Sequence, residues 1–259
     1  MVTDSFISGA VGTAPALQVP QERLFGLDLC TFDMQEAVAH INKVLQSNGS
    51  SVIFTANVDH VVRYNNDAEF RCYYRAADLV FADGTPLLWS ARLLRRGLHA
   101  RVTGVDLMAA LCGLAASHGY RCFLLGAKPE TLNKAQRALL QRFSSLQIAG
   151  SHHGYFDDSA PVLELIRQAR PDLLFIGMGS PRQEKWIAEH REQLSGIVMP
   201  VGGSFEVLAG EKKRAPRLIQ RLGLEWTWRL GQDPRRLWKR YLVEDLVFLK
   251  LFFRELRTR

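Results

Sequence analysis

No stretch of this 259-residue chain reaches the run of about 18 apolar residues that a membrane-crossing helix needs. Its beginning has no basic segment followed by an apolar one, so no secretory signal is expected. Cysteine is scarce, and Cys30, Cys72, Cys112 and Cys122 form neither a close pair nor a metal-ligand spacing. That excludes a disulfide framework; Cys112, in a helical run, and Cys122, in an apolar one, read as small buried hydrophobes in a reducing compartment. There is no internal repeat and no low-complexity block. Carboxylates in metal-holding order are missing too, because Asp157-Asp158 lies in a polar turn before Pro161 rather than in a strand-flanked Asp-x-Asp. His152 and His153 are adjacent and therefore diverge. No metal and no cofactor are expected.

What is present describes an ordinary folded chain, with 47% apolar and 23% charged residues and material for one large domain or one domain with an appendage. The net charge of +7 is unevenly placed. From Glu211 to Arg259 there are 14 Lys and Arg against 6 Asp and Glu, so the rest of the chain is close to neutral. An excess confined to one end points to an anionic partner there.

Short apolar runs alternate with helical ones, the pattern of a layered α/β fold with a mostly parallel sheet. Strands are predicted at 52–55, 79–81, 122–125, 147–149, 173–176 and 197–201, with helices at 104–118, 130–142, 161–168 and 183–193. Beyond Gly210 only helical pattern remains. The expected organisation is a loose Ser/Ala/Pro-rich segment over 1–20, an α/β body over 21–210 and a basic helical appendage over 211–259.

The chemically suggestive residues follow the predicted strands, along the rim where open α/β sheets bind ligands. Asp83 ends the run Leu79-Val80-Phe81-Ala82 before Gly84-Thr85-Pro86, where it is either a helix cap or a functional carboxylate. Thr55 and Asn57 offer short polar side chains that bind a ligand or cap the next helix. Gly177-Met178-Gly179-Ser180-Pro181-Arg182-Gln183 resembles a phosphate loop opening a helix, yet it is neither the dinucleotide nor the NTPase motif. A nucleoside diphosphate suits it better than a hydride-transfer cofactor. Gly203, in Gly202-Gly203-Ser204, offers a close backbone approach or a tight turn. In the tail, Arg229, Arg236 and Lys239 share a helical face, and Leu242, Leu246, Leu249, Phe253 and Leu256 form an apolar stripe among cations. That stripe either docks on the protein's own core or lies in an anionic leaflet.

Taken in order, these segments resemble the bacterial WecG/TagA/CpsF glycosyltransferases (glycosyltransferase family 26). The resemblance rests on Thr55-Ala56-Asn57-Val58-Asp59, Ala82-Asp83-Gly84-Thr85-Pro86-Leu87, Arg101-Val102-Thr103-Gly104, the loop 177–184, Val201-Gly202-Gly203-Ser204-Phe205 and Arg214-Ala215-Pro216 through Arg240. It implies a Rossmann-like fold and an inverting, metal-independent transfer from a UDP-sugar to a glycosyl-diphosphate-polyprenol. The expected location is the cytoplasmic face of the bacterial inner membrane, peripherally held on its anionic surface. The family pattern implies Asp83 as general base and Thr55, Asn57, Arg101 and Gln183 in substrate binding or catalysis. It further implies that Arg229, Arg236 and Lys239 meet the acceptor diphosphate, with Lys239 departing from an Arg and so losing the planar fork. Donors in the family include N-acetylmannosamine and glucose, and one branch forms the β-1,4-glucosyl link of xanthan-like polysaccharides. Self-association is a further option.

Two other classes compete. A dinucleotide-dependent oxidoreductase lacks its fingerprint and its ribose-binding acid here. A nucleic-acid-binding protein would use the basic tail, but a Leu/Phe stripe among the cations suits lipid or core better, so no nucleic acid is expected as a partner.

Overall fold

The computed structural model describes residues 19–216, 219, 224–232, 234 and 245–257, without the side chains of Trp226, Arg229, Asp245 and Leu246. Of the loose segment expected over 1–20, residues 1–18 lie outside the described residues. The fold begins with a hairpin of β1 (Gln21–Leu24) and β2 (Leu27–Cys30) that sequence pattern had not revealed. Its two-residue turn, Phe25-Gly26, holds both residues at positive φ (53° and 80°), the geometry that matches strand twist.

Six strands build the main sheet: β3 (Ser51–Ala56), β4 (Leu79–Ala82), β5 (Arg121–Gly126), β6 (Gln147–His152), β7 (Leu173–Gly177) and β8 (Ile197–Pro200). Every pairing is parallel, in the order β4-β3-β8-β7-β5-β6, so all the strands end on one edge. Among the described residues the helices are α1 (Met34–Gln46), α2 (Val58–Asn66), α3 (Ala68–Tyr73), α4 (Thr85–Leu93), α5 (Gly104–His118), α6 (Pro129–Arg142), α7 (Ala160–Ala169), α8 (Arg182–His190), α9 (Ser204–Leu208), α10 (Glu225–Gln232) and α11 (Asp245–Arg257). The chain is a Rossmann-like α/β protein, with the layers and parallel sheet that the alternation of patterns implied.

Each strand feeds two cores by its period of two. Val52, Phe54, Val80, Phe123, Leu174 and Ile176 pack on one face with residues of α2, α3, α4 and α8. Ile53, Phe81, Leu124, Phe175 and Met199 pack on the other with α1, α5 and α6. A strand buried on both faces reads as an unbroken apolar run, which is why these strands were legible. Helix starts are written locally as well. Asp33 and Glu36 form a capping box, and the Thr103 hydroxyl accepts from Asp106 N–H at 3.2 Å.

α11 docks on this body through Phe248 and Leu251, which join the α2-side core, and Phe248 meets the Phe25 ring at 5.0 Å edge-on. The described part of the apolar stripe, expected either to dock on the core or to lie in lipid, is not the docking face. Leu249, Phe253 and Leu256 stay exposed, while Leu242 lies outside the described residues and the Leu246 side chain is not described. The segment is apolar at 247–249 and again at 251–253, more than half its circumference, so it carries two ridges. Periodicity picked one ridge; packing against Phe25 used the other.

Candidate active site

The loops after β3, β4, β5, β7 and β8 meet around a cleft of about 950 Å³. Thr55, Asn57, Asp83, Gly177, Gly179, Gly203 and Gln183 all line it, so one place gathers residues spread over nearly 150 positions of sequence. Asp83 leaves β4 with its backbone N–H on Ala56 C=O at 2.8 Å, and its Oδ2 accepts from Gly104 N–H at 3.3 Å. The carboxylate therefore stands at the positive end of α5. A Cβ on Gly104 would come within 3.1 Å of Thr55 Oγ1, so the glycine eases the close approach of Thr55 to the start of α5. Asn57 does cap: its Oδ1 accepts from His60 N–H at 3.2 Å to open α2, while the residue still borders the cleft.

Gln183 is buried and clamped at both ends of its amide. Oε1 accepts from Gly202 N–H at 3.1 Å and Nε2 donates to Glu184 at 2.8 Å, which ties the start of α8 to the loop after β8. Behind it, His60 Nδ1 shares a 2.8 Å hydrogen bond with the Tyr74 hydroxyl, and His60 Nε2 stands 4.0 Å from Glu184. Burial first, then the charges of Glu184, Asp59 and Asp83, hold the Tyr74 hydroxyl well above its ordinary pKa, so it stays protonated.

The glycines differ in purpose. A Cβ on Gly177 would meet the Phe205 ring at 2.5 Å and Gly202 C=O at 3.0 Å, whereas Gly179 needs its φ of +78° and has open space around it. Gly203 has an ordinary φ and a neighbour no nearer than 3.4 Å. Gly177→Ala is expected to cost about 1–3 kcal/mol by overpacking, read as a lowered thermal midpoint, while Gly203→Ala stays close to neutral.

Arg101 is not among the lining residues. Its Nη1 donates to Glu225 at 3.0 Å and to Thr85 Oγ1 at 3.4 Å, and Glu225 borders the cleft from α10. Arg229 lies in this same helix, with no described side chain, and Arg236 and Lys239 fall outside the described residues. Sequence reasoning missed Lys212, Lys213 and Arg214 as cleft residues, although a basic run directly after a rim loop was the available signal. Arg214 grips Asp106 with two bonds, at 2.6 and 2.7 Å, and stands 3.9 Å from Glu225.

The Arg214 hydrogen bonds hold Asp106 below the usual carboxylate range, and Arg214 is raised in turn. A depressed carboxylate contributes stability above its unfolded pKa and loses it as pH falls through the folded value. The wild-type advantage over Arg214→Ala should therefore be present at neutral pH and vanish below the ordinary Asp range. Both side chains are partly exposed, so it should stay under about 1 kcal/mol; denaturant titration across pH measures it.

Residues 22–259 match the glycosyl transferase WecG/TagA/CpsF family. The chain belongs to that family. It is 36% identical over 218 residues to the N-acetylglucosaminyldiphosphoundecaprenol N-acetyl-beta-D-mannosaminyltransferase of Staphylococcus aureus strain MW2, spanning 83% of this chain and 85% of that one. The protein of the same name from strain NCTC 8325 / PS 47 matches with the same identity and coverage. Membership in the WecG/TagA/CpsF family makes the chain a hexosyltransferase and displaces the oxidoreductase and nucleic-acid readings. Among the described residues, no helix is long and apolar enough to cross a membrane, and no three His, Cys, Asp or Glu side chains gather as a metal site.

Proposed function

We propose that this cleft transfers a sugar, with inversion, from a UDP-sugar to a glycosyl-diphosphate-polyprenol in bacterial surface-polymer synthesis. The observation that carries the reading is Asp83, at a strand end in a cleft built from the family's ordered motifs. Its carboxylate takes the proton of the acceptor hydroxyl as that oxygen bonds to the anomeric carbon from the face opposite the departing nucleotide. The bond from the anomeric carbon to the diphosphate breaks, and the nucleoside diphosphate leaves with its electron pair.

That leaving group accumulates negative charge. The N-termini of α5 and α8 both reach the cleft, as do Lys213 and Arg214, and these are the donors we assign to it. Thr55 and Asn57 serve the sugar hydroxyls, and Gly177, Gly179 and Gly203 leave backbone exposed to the diphosphate. Gln183 holds the two loops in register. Arg101 acts through Glu225 to position α10, and Arg229, Arg236 and Lys239 meet the acceptor diphosphate beyond it. We assign residues from about 211 onward to an appendage that serves the acceptor, and the exposed ridge of α11 to peripheral contact with an anionic cytoplasmic leaflet.

The decisive assay is UDP release with a panel of UDP-sugars and a short-chain glycosyl-diphosphate-lipid. UDP-N-acetylmannosamine is the first donor to try, because the two S. aureus relatives are named for that transfer. UDP-glucose in the same panel, with linkage analysis, tests the β-1,4-glucosyl branch. Activity is expected to survive EDTA; loss on chelation, restored by magnesium, would place the leaving-group charge on a metal instead. No release with any donor would refute the transfer.

A further inference from the structure

A second cavity, of about 780 Å³, lies outside the cleft at the end of α4 and the turn after it, lined by Thr85, Leu88, Trp89, Arg92, Arg95 and His99 among others. One edge is Thr85, two residues past Asp83 and bonded by Arg101. The other edge is Arg96, which pairs with Glu255 of α11 at 3.7 Å. The cavity therefore sits between the rim of the catalytic cleft and the helix that carries the exposed Leu249-Phe253-Leu256 ridge.

Its chemistry is unusual for a solvated surface. Trp89 is 51% exposed and Leu93, one helical turn on, is 67% exposed. Around them Arg92, Arg95 and His99 form no ion pair among the described residues, whereas Arg96 is already held by Glu22 and Glu255. Arg95 also adopts φ +49°, at the position just past a helix end where glycine is the residue of lower strain. A cation kept where the backbone favours glycine directs attention to its side chain. An exposed Trp and Leu amid unpaired arginines is the composition that settles into a lipid headgroup layer.

We infer that the end of α4 is a second membrane contact. Trp89 and Leu93 enter the headgroup region of an anionic leaflet, and Arg92 and Arg95 take phosphates of its phospholipids at the cavity mouth. This rests on the lipid-linked acceptor proposed above. One contact leaves a protein free to tilt on a bilayer; with the α11 ridge, a second one beside the cleft rim orients the cleft towards the leaflet that holds the acceptor.

The test is co-sedimentation of the full chain with vesicles of phosphatidylcholine alone or mixed with phosphatidylglycerol, at low and high salt. Wild-type protein should bind the mixed vesicles and be released by salt. The double variant Arg92→Ala, Arg95→Ala should bind them roughly 10- to 30-fold more weakly. Arg95→Gly, which the left-handed backbone accepts, should lose roughly 5-fold. Trp89→Ser with Leu93→Ser should lose binding and the fluorescence quenching caused by acyl-brominated lipid. All three should stay folded at assay temperature, with Arg95→Gly at or slightly above the wild-type thermal midpoint because it relieves the left-handed strain, and transfer to a water-soluble short-chain acceptor should stay at the wild-type value. Wild-type vesicle binding by the variants would overturn the inference. So would a parallel fall in soluble-acceptor transfer, which would make the cavity a seat for the acceptor's own diphosphate. If the wild type transfers sugar while the variants bind vesicles normally, only this inference fails; if the wild type does not transfer at all, the proposed function fails whatever the vesicles show.

Discussion

Asp83→Asn should leave the protein folded and still binding its sugar nucleotide, while turnover falls by roughly two to four orders of magnitude. Asn is close to isosteric, and its carbonyl oxygen can still accept from Gly104 N–H, so the strand end and the start of α5 should persist. What it lacks is a basic oxygen for the acceptor proton. The loss corresponds to about 3–5 kcal/mol of transition-state stabilisation. Calorimetric titration with the donor separates binding from chemistry: unchanged affinity with collapsed turnover is the expected pair. Near-normal turnover would remove Asp83 from the mechanism and return it to its other reading, a residue that shapes the turn before α4.

The second large effect separates the two apolar ridges of α11. Phe248→Ala should destabilise the protein by about 3–5 kcal/mol, because it empties a buried site against Phe25. Phe253→Ser should change stability little, since that ring is exposed, yet it should weaken binding to anionic vesicles. Thermal or urea unfolding, run beside vesicle co-sedimentation, reads both. If Phe253→Ser left vesicle binding intact, the exposed ridge would have no part in lipid contact. The same packing bears on truncation. A chain cut before α11 uncovers Phe25 and one side of α2, so poor transfer by such a fragment would mix lost stability with lost acceptor binding.

Much of this molecule is visible in its residue order, for reasons that operate within a few residues. Leu173-Leu174-Phe175-Ile176 is buried on both faces in β7, and such a strand is an unbroken apolar run in any context. Thr103 and Gly119 mark the two ends of α5 by capping chemistry that needs no distant partner. Because parallel strands place their carboxyl ends on one edge, Thr55, Asn57, Asp83, Gly177 and Gln183 are legible as neighbours from residue order alone. The hairpin at 21–30 was not, since two four-residue strands are stable only against the body that covers Leu24, Leu27 and Leu29.

By itself, then, the sequence determined the layered α/β class, six strands of a mostly parallel sheet, the rim on which the cleft lies and the concentration of positive charge at one end. Those follow from local propensity, burial period and charge count. Only the tertiary structure decided that Arg101 meets Glu225 across 124 residues, that Arg214 grips Asp106, and that Lys212 and Lys213 reach the cleft. It alone decided which ridge of α11 is buried. A helix with two apolar ridges satisfies the hydrophobic effect with either one inward, and an arginine accepts any carboxylate within reach. Those choices were made by the shape of the surface each segment met, through contacts too distant in sequence for any local pattern to record.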